Sequence, residues 1–411
     1  MCIILTLRGN FMKNMVYIQS GGPTSVINSS LYGAIKEARE HRDQIGKIYG
    51  SLNGIDGLIN DNLIDIDQES NKDIELLKQT PGAILGSTRL KLPKYYHDPL
   101  YVKIVNTLAK HNIGYIFING GNDSMDTCMR IARLCEEDGL DVKVIGVPKT
   151  IDNDLAITDH SLGFGSAAKY VANTIAHIAM DARAFKKGKV HIIEVMGRNA
   201  GWLTASTDIL PEEFHPDLIY IPEKKLILAD FMKQVQQIYD RNGSVIIALS
   251  EGVSFDERSK KVKTDSFGHP QLEGVSDELG SIVEEDLGLP VRTVELSVPQ
   301  RACAYLISKS EQQESIETGR RAVKAALAGE TGKMVTLKRV SNNPYKIEFE
   351  LADVSKIANE VRMIPQEWLV DETRLSDEFR EYVRPLVEGE IKCEFENGIP
   401  KFSHFKKVKV K

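Results

Sequence analysis

Apolar residues in this chain come in short unbroken runs separated by amphipathic stretches. "MVYIQ" (Met15–Gln19), "GYIFIN" (Gly114–Asn119), "VKVIGVP" (Val142–Pro148), "VHIIEV" (Val190–Val195), "LIYIP" (Leu218–Pro222) and "SVIIALS" (Ser244–Ser250) show almost no polar alternation. Helical patterns follow the first two runs: "SSLYGAIKEAREH" from Ser29 and "SMDTCMRIARLCEE" over Ser124–Glu137. A strand with one wet face alternates, whereas a strand covered on both faces does not. The pattern therefore predicts an α/β fold of doubly wound, mostly parallel sheets. Ligands of such sheets lie beyond the carboxyl ends of the strands, and most of the chain's polar motifs begin where an apolar run ends.

A length of 411 residues suits two α/β lobes with an ample core. Charged residues make up 27% and the net charge is −6, so nothing draws the chain to nucleic acid or an anionic membrane, and any phosphate site must gather basic residues locally. Cys2, Cys128, Cys135, Cys303 and Cys393 form no CxxC or metal spacing, which fits reduced thiols in the cytoplasm. The leading "MCIILTL" lacks a basic n-region and a cleavage site, so it does not read as a signal peptide. The residues before Met12 and Met15 are expected to be a short arm or a matter of start-site choice. No apolar run approaches the roughly 18 residues of a membrane helix. The charged tail from about Asn359, ending in "KKVKVK", reads as a solvated terminus.

Several segments have the residue types of phosphate chemistry. "QSGGPTSVIN" (Gln19–Asn28) places glycines between a strand and a helix, where backbone amides approach an anion or simply turn the chain. "ILGSTRLKL" adds Arg89 after a Gly-Ser pair. "GGNDS" sets Gly121, Asn122, Asp123 and Ser124 at a helix start, as ligands for phosphate and metal or with Asn122 or Asp123 as the N-cap. The densest segment, "VPKTIDNDLAITDHSLGFGSAAKY", gathers Lys149, Thr150, Asp152 and Asp154 within six residues. Phosphoryl transfer to a hydroxyl needs a base, a cation and a metal, and this loop offers candidates for each. Met196, Gly197 and Arg198 follow one strand and Lys189 precedes it; Glu223 and Glu251 follow two others. Arg292 and Arg301, nine residues apart, suggest a second phosphate. The histidines show no zinc spacing.

Taken together and in this order, these segments resemble the phosphofructokinase family from about Val16 to about Leu327, and "MIPQEWL" (Met363–Leu369) is similar to the tail of its longer members. The resemblance implies two similar lobes with the active site between them. Residues 1–163 with about 300–350 would form the phosphate-donor lobe, 164–299 the fructose 6-phosphate lobe, and 351–411 an extension packed on both. It implies that Asp152 deprotonates the 1-hydroxyl of fructose 6-phosphate, with Thr150 and Lys149 at the transferred phosphate. Met196, Gly197, Arg198 and Glu223 would hold the sugar and Arg301 its 6-phosphate. Lys189 and Arg292 would reach that phosphate from a neighbouring subunit, which requires a homodimer or homotetramer. Gly22, Arg89, Gly121, Asp123 and Ser124 would line the donor side, and Asn122, Asp123 and Asp154 would hold magnesium.

ATP-using members carry Gly-Gly-Asp-Gly-Ser and Pro-Gly-Thr-Ile-Asp. In this chain Asp123 and Lys149 stand at the two glycine positions, a pairing that resembles the pyrophosphate-using members. Asp123 would block an α-phosphate by bulk and charge, and Lys149 would neutralise a shorter donor. Three positions depart from the family. Asn122 replaces an aspartate at the metal, Ser25-Val26 replace Pro-Gly, and Val298 replaces a His or Tyr near the sugar phosphate. The rival readings are the ATP enzyme on the same fold, a kinase of the NAD-kinase and diacylglycerol-kinase type, and a silent regulatory subunit that binds sugar phosphate. Asp123 opposes the first, the "MGR" and "PQR" turns the second, and the presence of Asp152 the third.

Overall fold

The computed structural model describes residues 12–255, 263–264, 270–271 and 274–411; the leading residues whose origin the sequence leaves open, with Cys2, lie outside them. The chain begins β1(Lys13–Gln19), α1(Ile27–Glu40), β2(Ile45–Ser51), α2(Ile55–Ile59), β3(Leu63–Asp65), α3(Asn71–Leu76), α4(Pro99–Lys110), β4(Ile113–Gly120), α5(Asn122–Glu137) and β5(Lys143–Pro148). It continues with α6(Phe164–Ala182), β6(Val190–Val195), α7(Trp202–Ala205), β7(Leu218–Tyr220), α8(Leu228–Asn242), β8(Val245–Ser250), β9(Lys263–Thr264), β10(Pro270–Gln271), α9(Val275–Leu287) and β11(Val291–Glu295). The last elements are α10(Lys309–Leu327), β12(Lys333–Asn342), β13(Tyr345–Asp353), α11(Asp377–Val387), β14(Phe395–Glu396) and β15(Ile399–Pro400).

Two sheets organise these elements. The first has seven strands in the order β13-β12-β5-β4-β1-β2-β3, and the second has four in the order β11-β6-β8-β7. The second is parallel throughout, and the first is parallel except at its ends, where β13 and β3 run antiparallel to their neighbours. The unbroken apolar runs have a direct cause. Met15 and Tyr17 of β1 face one core with Leu31, Ile35 and Val323, while Val16 and Ile18 face another with Met125 and Ile131. β6 does the same, with Val190 and Ile192 on one side and Ile193 and Val195 on the other. Each such side chain removed from water stabilises the fold by about 1.5–3 kcal/mol.

Helix α10 brings the chain back to the first sheet by lying against α1, backbone to backbone. A Cβ on Gly33 would stand 1.9 Å from the Ile316 carbonyl oxygen, and one on Gly319 would stand 2.0 Å from that of Ser30. Only glycine permits so close an approach.

The tail departs from the expectation of a merely solvated terminus. Ile364, Phe379, Val383 and Leu386 are buried in the core that contains α6 and Trp202. Further on, Val410 donates to the Leu63 carbonyl at 3.0 Å, and the amides of Lys406 and Lys407 donate to the Glu69 carboxylate at 2.7 and 2.9 Å. The lysine side chains are polar, as the charge pattern suggests, but their backbone is tied down beside β3.

Candidate active site

Three loops meet at the carboxyl ends of β1, β4 and β5. The Lys149 amide donates to the Gly120 carbonyl at 3.0 Å, and the Thr150 amide donates to that of Leu162 at 3.1 Å. Gly163, at φ 118°, closes the far end of the loop; a Cβ there would stand 2.5 Å from the Thr24 methyl. Inside the loop, the Thr150 hydroxyl accepts from the Asp152 amide at 3.1 Å. Asn153 takes a left-handed backbone, φ 54°, and its Oδ1 accepts from the Ser161 amide at 2.9 Å. Asparagine tolerates this conformation better than most residues. It sits between Asp152 and Asp154 and sets the turn that carries them.

Lys149 is buried, and its ammonium donates to the Gly22 carbonyl at 2.6 Å. Burial lowers its pKa to about 7 against the opposing pull of Asp152. Burial raises the Asp152 carboxyl above the usual carboxylate range, while Lys149, Arg198 and Arg301 pull it back. Asp154 is pushed up to about 7 by burial and by the charge of Asp152. Glu251 is likewise raised to about 7, chiefly by burial. These are interacting charges in one cluster, with a base candidate drawn on by three cations.

The sugar-side candidates come from the ends of β6, β7 and β8 and from the turn before α10. The Met196 amide donates to Gln300 Oε1 at 3.1 Å, and the Gly197 amide to Glu251 Oε1 at 3.4 Å. Glu223 accepts from the Gly201 amide at 3.0 and 3.1 Å, and burial raises its pKa. The Arg301 guanidinium stands against the first glycine loop, 3.0 Å from where a Gly22 Cβ would be. Burial and neighbouring Arg89 lower its pKa, which Asp152 and Glu251 counter. Gly22, expected on the donor side, thus lies directly beside the residue expected at the 6-phosphate.

Other candidates stand elsewhere or are otherwise engaged. Lys189 and Arg292 are exposed near the amino ends of β6 and β11, with Arg292 paired in register with His191. A six-residue strand spans about 20 Å, so neither reaches the Arg198 end within this chain. Asn122 uses both side-chain polar atoms on the extension, donating to the Glu360 carbonyl and accepting from the Asn359 amide. Asp123 is more than half exposed and pairs with Lys91 at 3.0 Å. The metal set expected from Asn122, Asp123 and Asp154 therefore has two of its members committed to other partners. Neither Asn122 nor Asp123 is the N-cap of α5; Gly121 holds that position. Ser124 is buried against Gly120, whose Cβ would stand 2.0 Å from its hydroxyl. Arg89 is exposed but stays near enough to Arg301 to lower its pKa, and Val298 lies at the surface.

Two residues of the site, Arg362 and Tyr382, are not legible in the sequence. The Arg362 guanidinium donates to the Asn153 carbonyl at 2.9 and 3.2 Å, and the Asn153 carboxamide donates to the Tyr382 hydroxyl at 2.9 Å. The one signal for Arg362 is the adjacent "MIPQEWL", which on its own marks only the family's longer tail, and Tyr382 has none.

Comparison with known proteins bears on the family and the fold. The phosphofructokinase family model matches residues 14–326. A pyrophosphate–fructose 6-phosphate 1-phosphotransferase of Halomonas elongata is 38% identical over 406 residues, covering 97% of each chain. A sulfofructose kinase of Alkalicoccus urumqiensis is 34% identical over 370 residues, 90% of this chain and 94% of its own. The crystal structure of a pyrophosphate-dependent phosphofructokinase from Marinobacter aquaeolei matches with a TM-score of 0.89 at 35% identity, covering 97% of this chain and 98% of that one. With the likeness running through both sheets and the tail, the chain belongs to the phosphofructokinase family.

Proposed function

We propose that this chain is a pyrophosphate-dependent phosphotransferase that makes fructose 1,6-bisphosphate and orthophosphate from fructose 6-phosphate, reversibly. The observation that carries the reading is Lys149, buried under the first glycine loop beside Asp152, with Asp123 at the other donor position. The similar proteins whose names specify pyrophosphate support the same donor.

In the forward direction the Asp152 carboxylate accepts the proton of the 1-hydroxyl. The hydroxyl oxygen forms a bond to one phosphorus of pyrophosphate, the bridging P–O bond breaks, and orthophosphate leaves. The raised pKa of Asp152 makes it a better base than an exposed carboxylate. In reverse, the protonated residue returns the proton to the leaving sugar oxygen. Lys149 supplies positive charge to the donor, and Arg301 anchors the 6-phosphate away from the reacting bond. Met196, Gly197 and Arg198 orient the sugar, and Glu223 accepts from its hydroxyls.

Magnesium fits the donor set in chemistry. Asp154 is a hard oxygen ligand whose carboxyl feels the charge of Asp152, which a cation there would offset, and it is the ligand this chain offers while Asn122 and Asp123 are engaged elsewhere. Bound there, the ion would neutralise charge on the phosphates. Lys189 and Arg292 complete the 6-phosphate site of a second copy, so the working form is a homo-oligomer. No helix among the described residues is long and apolar enough to cross a membrane; phosphorylated sugar substrates favour a cytoplasmic enzyme.

The decisive experiment supplies purified protein with fructose 6-phosphate, magnesium and either pyrophosphate or ATP, and follows bisphosphate. Turnover with pyrophosphate and little with ATP is expected; preference for ATP overturns the donor. Sulfofructose in place of fructose 6-phosphate tests the anionic end of the acceptor.

A further inference from the structure

The loop that carries Asp152 is held from outside its own lobe. Its central residue, Asn153, is in a left-handed conformation that is uncommon outside glycine and that the surrounding structure must enforce. Arg362, in the extension, does much of the enforcing. Its Nε and Nη2 donate to the Asn153 carbonyl at 3.2 and 2.9 Å. Its Nη1 donates to the carbonyls of Thr158, at 3.0 Å, and Asp159. Its own amide donates to the Asp154 carbonyl at 2.8 Å. Nη2 also reaches the Tyr382 hydroxyl at 3.1 Å, and that hydroxyl donates to the Asp159 carbonyl at 2.8 Å. One planar fork thus ties both arms of the loop, residues 153–154 and 158–159, together.

The same residue touches the other lobe. Its guanidinium lies 4.5 Å over the ring of Trp202, and the Trp202 indole N–H donates to the Arg362 carbonyl at 2.9 Å. Trp202 follows Gly201, whose amide donates to Glu223, and the amide of Ile364, two residues beyond Arg362, points to the same carboxylate at 3.5 Å. Residues 362–364 therefore connect the base loop with the proposed sugar-hydroxyl residue.

We infer that Arg362 is a positioning residue for the phosphotransfer, fixing Asp152 relative to the sugar bound at Glu223 by locking residues 153–159 against Trp202. Its guanidinium is engaged by the loop carbonyls, Tyr382 and Trp202, so it acts through the loop. The inference rests on the functional reading above. A misplacement of about 1 Å in a reacting group costs on the order of 10²-fold in rate. A lysine is a point charge on a flexible stem and cannot reproduce the planar fork.

The test compares full-length wild type with R362A and R362K. With pyrophosphate and fructose 6-phosphate, R362A is expected to lose about 10²-fold in kcat while both KM values stay within about threefold. R362K is expected to recover little of the loss. Hydrogen exchange of the amides in residues 152–162 should quicken in both variants while β1 and β4 stay protected. Unchanged kcat in R362A overturns the proposal, as does a loss in which KM, exchange throughout the chain and thermal stability all deteriorate together. If wild type fails to turn these substrates over, the functional reading falls. Exchange in 152–162 then still decides whether Arg362 holds the loop, and unaltered exchange there overturns it.

Discussion

The Lys149 ammonium donates to the Gly22 carbonyl at 2.6 Å, so the base loop and the first glycine loop are joined by a buried cation. Gly21 lies beside it, at φ 76°, with room for no larger residue without pressing on Nζ at 3.3 Å. Lys149 thus forms part of the buried floor beneath the glycine loop.

Its ionisation predicts an unusual pH dependence. Lys149 loses its proton as pH rises through about 7 in the free enzyme. Asp154, pushed up to about 7, gains one as pH falls through the same value. Capture of anionic pyrophosphate needs the first charged, and cation binding needs the second ionised. The kcat/KM for pyrophosphate should form a narrow bell near neutrality. Bound pyrophosphate favours protonated Lys149, so the alkaline limb of kcat should lie at higher pH. A kcat/KM profile flat from roughly pH 6 to 9 would remove both groups from these roles.

Asp152→Asn should leave fructose 6-phosphate binding near normal and lower turnover by about 10²–10⁴-fold, the usual worth of a positioned base. The exchange also withdraws the charge that keeps Lys149 protonated, so the residual activity should lose its alkaline side at lower pH. Binding by calorimetry and turnover by product assay separate the two effects. Near-normal turnover would exclude Asp152 as the base.

Arg301→Ala should raise the KM for fructose 6-phosphate far more than that for pyrophosphate. Because Arg301 stands against Gly22, some effect on the donor is expected as well, though smaller. Equal effects on both substrates would move Arg301 from the 6-phosphate to the donor.

Donor choice can be tested at Asp123. Like charges 4 Å apart repel by roughly 4 kcal/mol near the surface but only about 1 kcal/mol in full water. Asp123 is 55% exposed and already paired with Lys91, so the lower figure applies and bulk carries the rest. Asp123→Gly should therefore raise the ATP-to-pyrophosphate ratio of kcat/KM by about tenfold. Asp123→Gly with Lys149→Gly should shift the ratio further and lose most pyrophosphate activity. An unchanged ratio in the single variant would leave Asp123 as a surface ion pair only.

Gly163→Ala tests the loop's closure. The new Cβ would meet the Thr24 methyl at 2.5 Å on a backbone at φ 118°. A loss of about 1–3 kcal/mol in stability is expected from strain and crowding, read by denaturant unfolding. Stability equal to wild type would show that Thr24 yields without cost.

Much of the architecture follows from local sequence. A strand buried on both faces must be apolar at every position, so Met15 to Ile18 declare a two-sided sheet without reference to anything distant. Motifs at strand ends, including Lys149, Thr150 and Asp152, are announced by the residue types around them. What the sequence does not declare depends on where remote segments return. Arg362 and Asn153 are 209 positions apart, and Asn122 meets a backbone carbonyl 238 positions away. A backbone carbonyl carries no side-chain signature, so nothing in the residues near Asn122 announces that it will hold Glu360. The distance between Lys189 and Arg198 is fixed by the length of β6, which sets them at opposite ends of a sheet. Periodicity and turn chemistry determined the elements and the order of the motifs. The return of the tail across both lobes, decided by burial of Ile364, Phe379 and Leu386 against Trp202, determined what holds the base loop in place.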